Sequence, residues 1–191
     1  MTTASVHDGA APGGALVAQA VGYALNALPI GADADLRRST PCREWDLGTL
    51  LCHVADSTSA VAEGLASGHV RLFRPRRLIT GGDTVAGIRT GLAELLRLLP
   101  APPTVTIGCC SLDGSELLLV AAIEVAVHAW DISVACGSPR QISAPLAVPL
   151  LELCPALVDS SGRAARFDPP LPVPPTTPAG DRLVAFLGRR P

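Results

Sequence analysis

The amino-acid sequence predicts an all-α bundle, and three observations carry that prediction. Apolar residues recur at helical spacing in three separate segments, each closed by Gly or Pro. A fourth segment, Ser115 to Cys136, is apolar on nearly every side, as expected of a helix at the centre of a bundle. Only one stretch, Thr104 to Ser111, has the β-branched character of a strand, and it is too short for more than an extended crossover. With 191 residues the chain suits a single domain that can bury a core without disulfides.

The elements follow in order. Residues 1–12 are small and polar and read as a disordered N-terminus, leaving 13–191 as one domain. Leu16, Val17, Ala20, Val21, Ala24, Leu25 and Leu28 predict a first helix over 14–28, stopped by Pro29 and Gly31. Thr40-Pro41-Cys42-Arg43-Glu44-Trp45 forms a turn, and Asp46 caps a second helix that Gly68 ends. A basic loop, Arg71 to Arg77, is either a solvated connection or an anion-binding rim, and His69 at its start reads as a surface residue. Asp83 is expected to cap a third helix, which Pro100, Pro102 and Pro103 stop. Asp113-Gly114 reads as a turn, and Ser115 and Gly137 as the caps of the central helix. Ser143 to Leu157 predicts a weaker helix interrupted by Pro149. A Pro-rich tail leads to a short closing helix over 181–187.

Composition narrows the function. Charged residues are 17% of the chain and the formal net charge is −2, so nothing calls for nucleic acid or an anionic membrane as partner. All fifteen cationic side chains are Arg, a bias with the look of GC-rich coding. No basic segment followed by an apolar core marks the N-terminus, so no signal peptide is expected. The central helix is long enough to span a bilayer, but three ionisable residues on one stripe argue against it. The cysteines at 42, 52, 109, 110, 136 and 154 form no metal-type pair and no compact framework. They read as reduced residues of a cytoplasmic protein, with vicinal Cys109 and Cys110 more structural than reactive.

Glu124, His128 and Asp131 share one face of the central helix, at i, i+4 and i+7. Burying a carboxylate and an imidazole together costs several kcal/mol unless something compensates. Two compensations carry similar weight: a Glu–His pair satisfied within the core, or a bound metal ion. His53 lies beside the apolar stripe of the second helix and could add a third donor. Two imidazoles and a carboxylate suit Zn²⁺ with a fourth position left for water or a thiolate, and the same donors accept Fe²⁺ or Ni²⁺. Asp131 is then a natural support, orienting an imidazole or pairing with Arg43, and a plain helix-end charge pair carries similar weight.

Three motifs give these residues a family likeness. Thr40-Pro41-Cys42-x-x-Trp45-x-Leu47-x-x-Leu50-Leu51-x-His53-Val54, then Glu124-x-x-x-His128-Ala129-Trp130-Asp131, and the tail Asp181-Arg182-Leu183-x-Ala185-Phe186-Leu187-Gly188-Arg189-x-Pro191 together resemble the DinB-like, mycothiol-dependent maleylpyruvate isomerase N-terminal family. The resemblance spans roughly residues 14 to 191. It implies an up-down four-helix bundle holding a divalent metal, commonly zinc, on two His and a Glu, here His53, Glu124 and His128. It also implies mycothiol or a related thiol as cosubstrate, in S-transfer or cis–trans isomerisation of a small electrophilic molecule. The separate C-terminal domain of the isomerase proper has no counterpart here, so the isomerase activity itself is not expected to carry over. The remaining expectations are an enzyme of secondary metabolism working without metal on the same bundle, or a non-catalytic small-molecule-binding protein; under any of these readings the chain could form a homodimer.

Overall fold

A computed structural model describes residues 12–28, 35–43, 45–71, 81–158 and 167–191. Of the expected disordered segment 1–12, residues 1–11 lie outside these residues, as does most of the basic loop, while Pro12 is helical. Six helices are formed among them: α1 (Pro12–Ala27), α2 (Leu47–Ser67), α3 (Gly81–Arg97), α4 (Gly114–Ala135), α5 (Ala144–Leu157) and α6 (Ala179–Phe186). Three short strands, β1 (His69–Val70), β2 (Thr104–Ile107) and β3 (Cys110–Asp113), form one sheet. The protein is thus mostly helical with a small sheet, in keeping with a DinB-like helical fold.

The apolar stripes decide which helices meet. Helix α4 packs against α1 and α2, α2 also packs against α3, and α3 against α1. Neighbours around this ring therefore follow the order α1, α4, α2, α3. Consecutive helices α1 and α2 are not neighbours, and neither are α3 and α4. Small residues on α1 and α4, among them Ala20, Ala24, Ala122 and Ala126, are fully buried where these helices lie together. On α2 and α3, Leu47, Leu50, Leu51, Ile88, Leu92 and Leu95 are fully buried, and each such side chain contributes roughly 1.5–3 kcal/mol by leaving water. Helix α4 is long and apolar enough to cross a bilayer, yet 78% of its most apolar window is buried inside the protein. It is the core helix.

The caps of α2 fall where the sequence puts them. The Asp46 carboxylate accepts a hydrogen bond from the Thr49 amide at 2.8 Å, and Gly68 takes the left-handed conformation after Ser67. Helix α3 instead begins at Gly81, so Asp83 lies in its first turn and not ahead of it. The start of α4 also differs from expectation. Asp113, not Ser115, is its N-cap, and Asp113-Gly114 is no turn. The Asp113 carboxylate accepts from the Ser115 amide at 2.7 Å, while the Glu116 carboxylate accepts from the Asp113 amide at 3.4 Å, a capping box. Gly114 is needed here because a Cβ would lie 1.8 Å from the Pro102 carbonyl oxygen. At the other end Cys136 is the C-cap, followed by Gly137 in the left-handed region.

Two further expectations are corrected. The extended crossover is a β-hairpin: Gly108, at φ 60°, turns the chain so that Cys110–Asp113 returns antiparallel to β2. Strand β1 joins β2 in parallel, so His69, exposed as expected, belongs to a strand. Helix α5 runs through Pro149 and Pro155 without interruption. Each Pro removes one backbone bond, but Leu146, Ala147, Leu150 and Cys154 are buried against the rest of the protein, and that packing outweighs the loss. The Pro-rich segment 167–178 carries no helix, and α6 then folds back onto α5.

The capping box gives a direct test. Asp113→Ala is expected to lower stability by about 1 kcal/mol in urea unfolding, with the helical circular-dichroism spectrum unchanged.

Candidate metal centre

Helices α2 and α4 bring the three sequence-predicted donors together. His53 lies one residue before buried Val54 on α2, so its ring reaches the edge of the core and keeps 34% of its side-chain surface exposed. On α4, Glu124 and His128 are one turn apart. The Glu124 Oε2 atom is 3.2 Å from His53 Nε2 and 3.4 Å from His128 Nε2, and all three donor atoms lie within 4.8 Å of one another. Trp45 covers the imidazoles, its ring 4.7 Å from that of His53 and 6.1 Å from that of His128.

Behind the triad lies a buried charge relay. His128 Nδ1 is 3.0 Å from Asp131 Oδ2, which leaves Nε2 directed to Glu124. Asp131 is fully buried and takes two further hydrogen bonds from Arg189, Nη2 to Oδ2 at 3.0 Å and Nε to Oδ1 at 3.2 Å. Arg189 also donates to the Leu187 carbonyl and approaches the Cys42 sulfur at 3.7 Å. The expected support of an imidazole by Asp131 is present. The alternative pairing with Arg43 is not: Arg43 lies 77% exposed and meets Asp168 at 3.5 Å. Arg189 takes that place because the turn after α6 carries it inward. Gly188, at φ 85°, makes that turn, and a Cβ there would lie 2.7 Å from the Asp168 backbone oxygen. Arg189 and Trp45 are the site residues the sequence reading did not single out. Their signal was their place in the tail and turn motifs.

These contacts set the charges. Burial works against an ionised Glu124, but hydrogen bonds from His128 and His53 prevail and hold its carboxyl well below the usual range. Burial likewise opposes the His128 imidazolium, but Asp131 and Glu124 outweigh it and raise its pKa to about 9. Asp131 is buried yet kept ionised by His128 and Arg189. The Cys42 thiol is pushed up to about 11 by burial, which Arg189 only partly offsets. Cys42 is therefore a thiol at neutral pH.

The donor set fits a divalent metal. At metal–ligand bonds of about 2.0–2.1 Å, the edge of a coordination tetrahedron is about 3.4 Å. The two Glu124-to-histidine separations already have that length. Replacing the His128 proton with a divalent cation leaves the buried cluster one positive charge in excess, which a single anionic ligand would neutralise. Such a ligand has a route in, because Glu124 keeps 30% of its side-chain surface exposed beside His53.

Comparison with known proteins places the chain. A family model described as "Mycothiol maleylpyruvate isomerase N-terminal domain" matches residues 18–133, and the protein belongs to that family. It is also 30% identical over 169 residues to an uncharacterised protein curated from two strains of Mycobacterium tuberculosis, covering 87% of this chain and 92% of the relative. No solved structure gives a significant match.

Two outcomes test the centre. Asp131→Ala leaves Arg189 buried and without its carboxylate, so unfolding is expected to become easier by roughly 3–5 kcal/mol. The Asp131→Leu/Arg189→Met double variant is expected to recover much of that loss in the same urea titration. The second outcome concerns protons. A raised His128 pKa means that its charge stabilises the metal-free fold fully below pH 6.5 and is lost as pH rises through about 9. Metal uptake requires the neutral ring, so binding at pH 7 is expected to release about one proton from His128. Calorimetry in two buffers of different ionisation enthalpy measures that proton.

Proposed function

We propose that this protein is a metal-dependent enzyme that activates a low-molecular-weight thiol of the mycothiol type for S-transfer to, or isomerisation of, a small electrophilic metabolite. The observation that carries this reading is a His–Glu–His donor set open to solvent on one side. His53, Glu124 and His128 would hold the metal, zinc first and iron or nickel as alternatives. The bound metal would supply Lewis acidity, stabilising a thiolate at neutral pH. Around it, Asp131 fixes the tautomer of His128, Arg189 fixes Asp131, and Trp45 shields the rings from water. Because Cys42 is not ionised, the nucleophilic sulfur would come from the cosubstrate. No disulfide joins the cysteines among the described residues, which fits a reducing, cytoplasmic setting.

One observation favours a second reading. Glu124 is hydrogen-bonded to His53 and ion-paired with His128, an arrangement that also suits a metal-free enzyme of secondary metabolism (a cyclase, isomerase or hydrolase) or a small-molecule-binding protein.

Metal analysis by plasma mass spectrometry, on protein purified without tag or chelator, separates them. About one equivalent is expected in the native chain and almost none in His53→Ala or His128→Ala. In the cobalt-substituted protein, added mycothiol is expected to produce a sulfur-to-cobalt charge-transfer band. Full metal content in both variants would remove the triad from the proposal, and a metal-free native chain after reconstitution would favour the second reading.

A further inference from the structure

A second site lies on the other side of the wall that supports the triad. The turn before α2, the end of α4 and the tail after α6 border an open cleft of about 740 Å³. None of His53, Glu124 and His128 lines it. Two segments of the wall present alternate residues to opposite sides. Cys42 and Arg189 contact each other on the triad side, while Pro41, Arg43, Gly188 and Arg190 face the cleft. A volume of this size falls within the range of small-molecule sites, roughly 300–1,000 Å³.

The chemistry of the lining is that of an anion site. Three guanidinium groups, Arg38, Arg43 and Arg190, face one carboxylate, Asp168. Arg43 meets Asp168 at 3.5 Å, and Arg38 donates to the Ala135 carbonyl at 3.4 Å, where it offsets the negative end of α4. Among the described residues Arg190 is paired with no carboxylate. Among the described residues the cleft thus stays positive after Asp168 and the helix end are counted, in a chain whose formal net charge is −2. Guanidinium forks grip carboxylates and phosphates through paired N–H groups. Val134 and Ala135 add an apolar floor beside them.

We propose that the cleft between Arg38, Arg43 and Arg190 is a binding site for a small organic anion, a carboxylic acid or phosphate ester, separate from the metal centre. The anionic head meets the arginines, and a short apolar body rests on the end of α4. This site does not depend on the thiol chemistry proposed above.

Calorimetric titration of the metal-loaded full chain with malonate and with inorganic phosphate, at constant ionic strength, tests it. Saturable binding of at least one probe is expected, weakened about tenfold or more in Arg38→Gln/Arg190→Gln and kept in His53→Ala. Arg190→Gln alone, at an exposed position, is expected to retain the native melting temperature and metal content while still weakening binding. Malonate and phosphate binding in opposite order of strength identifies the head group as carboxylate or phosphate. No saturable binding of either probe would overturn the proposal. So would binding that survives the arginine substitutions and disappears in His53→Ala, which would put the anion on the metal centre.

Discussion

A carboxylate with no access to water sets the terms for this end of the molecule. Asp131 is tolerable in the core only because His128 and Arg189 both donate to it. The consequence runs in two directions. Towards the triad, the Asp131 contact selects which imidazole nitrogen of His128 faces Glu124. Towards the surface, it draws Arg189 inward, anchoring the tail and forcing its neighbours Gly188 and Arg190 outward into the cleft wall. Site orientation, tail position and cleft shape share one electrostatic cause.

The aromatic and sulfur neighbours complete the arrangement. Trp45 is placed by the same turn that ends at the Asp46 cap, so the start of α2 fixes both His53 and the ring above it. Thr40 closes that turn, its hydroxyl lying 3.0 and 2.9 Å from the Cys42 and Trp45 carbonyls. Cys42 sits where a thiolate would be close to the triad, yet its burial keeps the proton on.

Much of this was legible in the chain, and the parts that were not share a physical origin. Asp46, Gly68, the helical stripes and the His53–Glu124–His128 convergence follow from local chemistry: caps, period and the cost of burying polar groups. Arg189 was not legible as the partner of Asp131, because nothing local links residues 58 apart in sequence, and Arg43 was the guanidinium expected there. The hairpin was hidden because Gly108 follows only four strand residues. The continuity of α5 was hidden because two prolines are a local signal, and tertiary packing overrode it.

The order of helices around the ring also bears on how the chain reaches this state. The α2–α3 contact joins elements next to each other in sequence, whereas the packed pair α1 and α4 has two helices and a hairpin between its members. Loop-closure entropy favours the local pair first. An early α2–α3 unit would carry His53 alone, without Glu124 or His128. The three donors meet only when α4 docks, so a metal held by them would be captured at that stage and could not template the first.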